Sequence, residues 1–319
     1  MADKGKGVES ASGDVAQQLP LSEPESPGSL GLLEQVQDLE RRARSRQTKS
    51  KTAPQQKTAS LQTAPVVQLP IWPDAHRAIP NPFARSALFT VGNPRRKRSH
   101  FEQKTIATFG DVKITYTGEE LRQDDEDVFL QLLHISRVSP LGDEIAFTAH
   151  QMLKALGWPT NKPAYERLRR TINRLSATGV TISDPSDRYG YNGSLIRSFA
   201  WQEADGRSSR SWRVWLEPRI VALFGDTLYT RIIWQHRKEL RSAIAKWLLN
   251  LYSSHASPYP MKVATIHRYS GSTASQMSGF RRELKRALGE LVDIGFLKSF
   301  EVDSADLVHV IRRPWARDT

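Results

Sequence analysis

Tyr165–Ser183, YERLRRTINRLSATGVTIS, is the stretch that decides the fold, together with its near-repeat at Phe280–Ser299, FRRELKRALGELVDIGFLKS. Each reads as an Arg-rich amphipathic helix that ends at a glycine and runs into an apolar strand. With Gly179 aligned on Gly295, Leu168, Ile172 and Leu175 fall on Leu284, Leu288 and Leu291. Spacings of four and then three put each trio on one side of a helix, the side that faces a core. At 100° per residue the opposite side of the first helix carries Lys162, Glu166, Arg170, Asn173 and Arg174, with Arg167 and Arg169 on its flanks. The equivalent side of the second carries Ser275, Ser278, Arg282 and Arg286, with Lys285 on a flank. Cations and small hydrogen-bonding residues are the types that meet phosphates and base edges, which makes these twelve the candidate DNA-binding residues.

Working outward, the neighbours of the two helices also repeat. TAHQMLKALGW (148–158) reads as a short helix with Thr148 at its N-cap and Gly157 stopping it, and PMKVATIHRYSG (260–271) as another ending at Gly271. Strand-like runs follow each Arg-rich helix: a meander with a long loop over 180–218 and a hairpin over 296–313. A longer helix precedes each short one. EELRQDDEDVFLQLLHISRV (119–138) has acidic first turns that suit a helix N-terminus, with Val128, Leu132 and Ile135 on one face. WQHRKELRSAIAKWLLNLYSSH (234–255) reads as one long helix with Leu240, Ile244, Trp247, Leu248 and Leu251 inward. Helix, short helix, longer helix and hairpin, twice over, is helix-turn-helix order with a wing. The expected class is α+β, with two tandem winged-helix domains at 101–226 and 227–313. Arg188, Arg197, Arg207, Arg210 and Lys298 fall in the expected wings.

Before these domains, residues 1–66 are rich in Ser, Gln, Pro, Ala and Lys and poor in aromatics, so a largely disordered, basic region is expected. Within it, Leu32, Leu33, Val36, Leu39 and Ala43 are spaced for a partner-induced helix. Residues 67–100 read as an extended, Pro- and aromatic-rich arm, and 314–319 as a tail.

Bulk numbers point the same way. The chain has 319 residues with a formal net charge of +12 and a pI near 9.9, an excess that favours a polyanionic partner. There is no Cys, which excludes disulfides, thiolate metal sites and Cys nucleophiles. MADKGKGVES has no apolar h-region, and IAKWLLNLY is far shorter than a bilayer span, so a cytoplasmic protein off the membrane is expected. No GxxxxGK[ST] loop is present, and the eight histidines show no HxH or HExxH spacing. The DDED run at 124–127 is better explained by the helix dipole than by a divalent cation. The expectation is therefore a protein without enzymatic activity, cofactor or metal. A nickase or primase-like replicase is the enzymatic rival. The rival among binders is a dimeric winged-helix repressor on a palindrome.

From about Trp72 to Arg312 the chain resembles the TrfA family of plasmid replication initiator proteins, through WPD, ARSALFT, DVKITYTG, LGW, and YSSH followed by PYP. The resemblance implies two winged-helix domains binding tandem iterons of a plasmid origin and helping to open an adjacent AT-rich segment. It also implies host DnaA, the replicative helicase and the polymerase sliding clamp as partners, with a dimer as the form that limits copy number. Family members carry a Gln-Leu-x-apolar-aromatic clamp peptide just before WPD. Here QLPIW offers Gln68, Leu69, Ile71 and Trp72 in that pattern, departing from it at Pro70 and in Trp72, which WPD also needs. Without clamp binding, Ile71 and Trp72 would instead cover the first core.

Overall fold

In the computed structural model the described residues are 68–110, 112–183, 190–201, 211–225 and 228–314. The expectations for residues 1–66, for Arg188, Arg207 and Arg210, and for the tail beyond Pro314 lie outside them.

The arm is folded rather than extended. Strand β1 (His76–Pro80) runs into a single helical turn, α1 (Asn81–Ala84), and then β2 (Phe89–Thr90). All five residues of β1 are buried, because it pairs antiparallel with β11 (Tyr229–Ile233), about 150 residues further on. Phe83 and Phe89 pack with Phe129 in the first core. Long-range strand pairing is what a spacing-based reading cannot see.

β3 (His100–Ile106) and β4 (Lys113–Glu119) form an antiparallel hairpin. β5 (Leu121–Arg122) lies parallel to β2, and α2 (Gln123–Ser136) follows at once. Next come β6 (Ile145–Phe147), α3 (Ala149–Leu156) and α4 (Lys162–Ser176). Thr148 caps α3 by accepting the Gln151 N–H, and Gly157 stops it at φ 69°, a conformation costly for any residue with a Cβ. After α4 the chain departs from the expected pattern. Gly179 does not stop the helix: it opens β7 (Gly179–Ser183), which joins β4 and β8 (Gly190–Gly193) in the β3–β4–β7–β8 sheet. β9 (Ile196–Trp201) and β10 (Trp212–Leu216) follow, and β10 lies between β9 and β6.

A 3₁₀ segment, Pro218–Phe224, leads to β11. The single long helix expected over 234–255 is two helices, α5 (Trp234–Glu239) and α6 (Ala243–Ser253). Leu240 sits at φ −70° and ψ 130°, Ser242 caps α6 through the Ala245 N–H, and Glu290 Oε2 accepts the N–H groups of Arg241 and Ser242 at 2.8 and 3.0 Å. The break is thus satisfied by a residue 48 positions away. β12 (Met261–Lys262), α7 (Val263–Tyr269), α8 (Met277–Asp293), β13 (Leu297–Val302) and β14 (Leu307–Arg312) complete the chain, and β14 lies between β12 and β13. Gly295, at φ 76°, does end its helix.

The fold is α+β, with one pattern used twice. In each half a strand leads into a short helix, a longer helix follows, and a hairpin returns beside the first strand. The sheet orders β6–β10–β9 and β12–β14–β13 are equivalent. Ile232 and Trp234 belong to the first core cluster, and Leu240 is the first residue after them in the second.

Buried polar contacts hold the halves together. Arg237, fully buried in α5, donates from Nε to Asp127 Oδ1 at 2.6 Å and from Nη2 to Glu126 Oε2 at 2.9 Å. Its Nη1 reaches Asn250 Oδ1 at 3.1 Å, and Asn250 Nδ2 in turn donates to Glu126 Oε1 at 3.0 Å. Lys246 neutralises the remaining Asp127 oxygen. The DDED run does open α2, where Asp125 Oδ2 accepts the Arg122 N–H at 2.7 Å, and beyond that role Asp125, Glu126 and Asp127 are buried ion-pair partners. Burial pushes the Glu126 carboxyl up to about 6 against the pull of Arg237, and the paired carboxylates hold Arg237 above the ordinary guanidinium value despite its burial. Trp247 Nε1 donates to the Ser86 carbonyl at 2.9 Å. Gly271, at φ 65°, is pressed against Thr90, where an added Cβ would come within 2.9 Å of its Cγ2.

Candidate nucleic-acid interface

Asn161 starts α4 by accepting the Ala164 N–H at 3.1 Å, and Pro163 suits the first turn. Leu168, Ile172 and Leu175 have no exposed surface, as the spacing requires. Lys162, Glu166, Arg167, Arg169, Arg170 and Asn173 are exposed on the helix. Their freedom differs, however. Arg167 lies over the Trp158 ring at 3.9 Å and reaches Asp124 Oδ2 at 3.1 Å. Arg169 lies over the Trp201 ring at 4.0 Å, which ties the helix to β9. Arg170 makes no hydrogen bond or ion pair among the described residues.

Arg174 must be removed from the candidate set. Its side chain is 11% exposed and is held by Asp125 and by Glu119, the latter at 3.1 Å. A desolvated guanidinium between two carboxylates of its own protein is not available to DNA. Burial and the neighbouring Asp124 push the Asp125 carboxyl up to about 6 against the pull of Arg98 and Arg174. Burial also raises Asp124, but Arg98 and Arg167 more than offset it and leave its pKa below the ordinary value.

On α8 the inward trio Leu284, Leu288 and Leu291 is again fully buried, joined by Phe280 and Ala287. Ser275 precedes the helix, and Ser278, Arg282, Lys285 and Arg286 are exposed along it. No hydrogen bond or ion pair engages Arg282, Lys285 or Arg286 among the described residues. Arg281, which sequence reading passed over, braces α8 against the β13–β14 turn: its Nε donates to Asp306 Oδ1 at 2.8 Å, and Asp306 sits in that turn at φ 63°. Of the expected wing cations inside the described residues, Arg197 and Lys298 are both exposed. A cleft of about 1000 Å³ is lined by Arg96, by Arg167 of α4, by Arg241, by Ser275 and by Arg286 of α8.

The peptide Gln68–Trp72 requires a correction. Leu69 and Trp72 are 2% and 1% exposed, and only Ile71, 75% exposed, is free as an apolar anchor. Gln68 Nε2 donates to the Arg137 carbonyl at 3.1 Å, and Arg137 Nε donates to the Trp72 carbonyl at 3.0 Å. The Trp72 indole stacks on Phe224 and donates from Nε1 to His134 Nδ1 at 3.1 Å. Freeing Leu69 and Trp72 would re-expose two buried side chains at a cost of roughly 3–6 kcal/mol. As folded, this segment is part of the first core and not a peptide available for clamp binding. Ile71 does not share in that core, contrary to the alternative reading of the arm.

His134 can accept that indole hydrogen bond because it is neutral: burial, with Arg77 and Arg137 nearby, pushes its pKa down to about 3. A histidine depressed in the folded state contributes stability above its unfolded pKa, near 6.5, and loses it as pH falls toward 3. His134→Gln keeps an acceptor and removes the titration. Urea denaturation from pH 7 to pH 4 is expected to show a smaller loss of stability on acidification in the variant, and equal slopes would refute this role.

Comparison with known proteins places this geometry. The family described as "TrfA protein" matches residues 31–312. Over 245 residues the chain is 37% identical to the "Plasmid replication initiator protein TrfA" of Escherichia coli, covering 76% of this chain and 63% of that protein. The chain thus spans somewhat under two thirds of that relative's length. Among solved structures, the selenomethionine form of domains 2 and 3 of RctB aligns with TM-score 0.53 at 14% identity, covering 73% of this chain and 98% of that one. A second structure of RctB domains 2–3 aligns with TM-score 0.50 at 14% identity, covering 71% and 95%. At that identity the likeness is one of fold.

Proposed function

The chain belongs to the TrfA family, and on that footing we propose that it initiates plasmid replication by binding directly repeated sites in a plasmid origin. In this reading its two halves are tandem winged-helix modules, α4 and α8 enter successive major grooves, and the wings touch the backbone. One observation carries the proposal: two helices in equivalent topological positions each bury an aliphatic trio and expose a cation-rich face. On those faces the side chains of Arg170 on α4 and of Arg282, Lys285 and Arg286 on α8 have no hydrogen-bond or ion-pair partner among the described residues, as base-edge reading requires. Arg170 and Arg282 are the two we assign to base edges. Arg167 and Arg169 are pre-oriented on tryptophan rings, so less rotamer freedom is lost on contacting a phosphate.

The two faces are not copies of one another. Glu166 and Asn173 on α4 correspond to Arg282 and Gly289 on α8, which suits an asymmetric, directly repeated site rather than a palindrome. Opening of an AT-rich segment and recruitment of host DnaA, the replicative helicase and the sliding clamp belong to the same proposal. So does dimerisation as a limit on copy number. The clamp contact then requires release of the arm. No catalytic step is assigned to the chain, and none of its described helices is long and apolar enough to cross a membrane.

Footprinting on the parent plasmid tests this. The expected result is protection of direct repeats spaced near two helical turns beside an AT-rich tract, with no nicking of supercoiled plasmid in Mg²⁺. A single protected inverted repeat would replace the initiator by a repressor, and a nicked product that co-purifies with the protein would make it an enzyme.

A further inference from the structure

The loop from Asn93 to Arg98, NPRRKR, had no role in the sequence reading, yet it is built with care. Arg95 N–H is accepted by Asn93 Oδ1 at 2.9 Å and Arg96 N–H by the Asn93 carbonyl at 3.1 Å, a tight local turn. From below, the buried Arg122 donates from both Nη1 and Nη2 to the Arg96 carbonyl at 3.2 Å and from Nη2 to Glu120 Oε2 at 2.8 Å. At the far end Arg98 donates to Asp125 Oδ2 at 2.6 Å, to Asp124 Oδ1 at 3.0 Å and to the Glu120 carbonyl at 2.7 Å.

Two arginines thus spend their charge on the carboxylates beneath the loop, leaving a tip of Arg95, Arg96 and Lys97. All three are exposed, and no side-chain hydrogen bond or ion pair engages them among the described residues. Arg96 lines the cleft that Arg167 of α4 and Arg286 of α8 also line, together with the exposed Arg241.

Resting on the two-module reading above, we infer that this pinned loop is a third DNA contact: Arg95, Arg96 and Lys97 grip the phosphodiester backbone between the two grooves that α4 and α8 enter. The placement follows from duplex geometry. Two helices in successive major grooves on one face of B-DNA stand about 34 Å apart, one helical turn, and between them the protein faces the minor groove and its two flanking phosphate rows. Whatever lies between the helices meets those rows. A cationic tip held by its backbone meets them without first losing loop entropy. Since phosphate contacts carry no sequence information, the loop adds affinity and register but not base preference.

The test uses the full chain and a duplex carrying the footprinted site, with affinity measured across a salt series. Replacing Arg95, Arg96 and Lys97 by Ser should lower the log–log salt slope by about 2–3, close to 0.9 per lost phosphate contact. It should weaken specific and non-specific binding alike, by roughly 10- to 100-fold at physiological salt. Melting should stay native-like, because the three side chains are exposed. Arg95→Lys with Arg96→Lys should keep the slope, since a phosphate is satisfied by a point charge. An unchanged slope and affinity in the Ser variant would overturn the inference, including the case in which the loop serves an acidic protein. A collapse of the specific-to-non-specific ratio would also overturn it, by making the loop a base reader. Failure of the two-module reading is seen separately, as Arg170→Ala and Arg282→Ala variants that keep full specificity.

Discussion

Arg237→Ala is expected to lower the unfolding free energy by about 3–5 kcal/mol, a large share of the roughly 5–15 kcal/mol typical of a folded protein. The side chain is fully buried and donates to Asp127, Glu126, Gln123 and Asn250 and to the Lys246 carbonyl. Truncation leaves Glu126 without its cation and Asp127 with only Lys246, both still desolvated. The cost is therefore that of stranded carboxylates and not of one lost contact. This separates two accounts of the cluster. If the ion pairs merely decorate a hydrophobic interface, the loss stays near that of an ordinary truncation. If they hold α5 and α6 against the start of α2, Arg237→Met combined with Glu126→Gln and Asp127→Asn recovers most of the loss, because the stranded charge goes with the arginine. Urea unfolding of the single and triple variants decides it. A single variant within 1 kcal/mol of the parent would rule out the latch.

A latch at this place bears on recognition as well as on stability. α6 packs against α8, and α2 against α4, so the cluster fixes the offset between the two exposed arginine faces. In the proposed function that offset is the spacing of the site. A variant that folds with a loosened latch should then tolerate altered spacing between half-sites better than the parent.

What could be read in advance from the chain, and what could not, divides by distance along it. Leu168, Ile172 and Leu175 and their counterparts were legible because helix periodicity is local. Thr148 and Gly157 were legible as cap and stop for the same reason. Arg174 was not: on a helical wheel it sits beside Arg170, and only Asp125 and Glu119, 49 and 55 residues earlier, take it out of solvent. Arg237 drew no attention on a helix with several cations, because the partners that bury it lie about 110 residues away. The break between α5 and α6 has no glycine or proline to announce it, since Glu290 satisfies it from another helix. Gly179 misled because a glycine after an amphipathic helix usually stops it, and here pairing with Thr117 of β4 took precedence. The Asn93–Arg98 loop played no part in that reading, because its place at the cleft is tertiary information.

Replacing both Arg170 and Arg282 by Ala is expected to weaken specific binding by about 2–6 kcal/mol, from roughly 30-fold to beyond 10⁴-fold, if each costs 1–3 kcal/mol. Additivity is expected because the two residues sit on separate helices and share no partner. Neither side chain is engaged in a hydrogen bond or ion pair among the described residues, so the folded protein loses no contact and melting should stay within about 0.5 kcal/mol of the parent. That distinguishes them from Arg174, where Ala would cost stability first and affinity only through it. Non-specific binding should fall far less, since two cations of a strongly basic chain are lost while base discrimination is lost at two positions. The sharper control is Arg170→Lys with Arg282→Lys. If the guanidinium forks read guanine edges, a lysine cannot reproduce both bonds, and specificity stays low while the salt slope returns. If both side chains only touch phosphates, the lysine pair restores affinity in full, and base reading by these helices would have to rest on Lys162, Asn173, Lys285 and Arg286 instead.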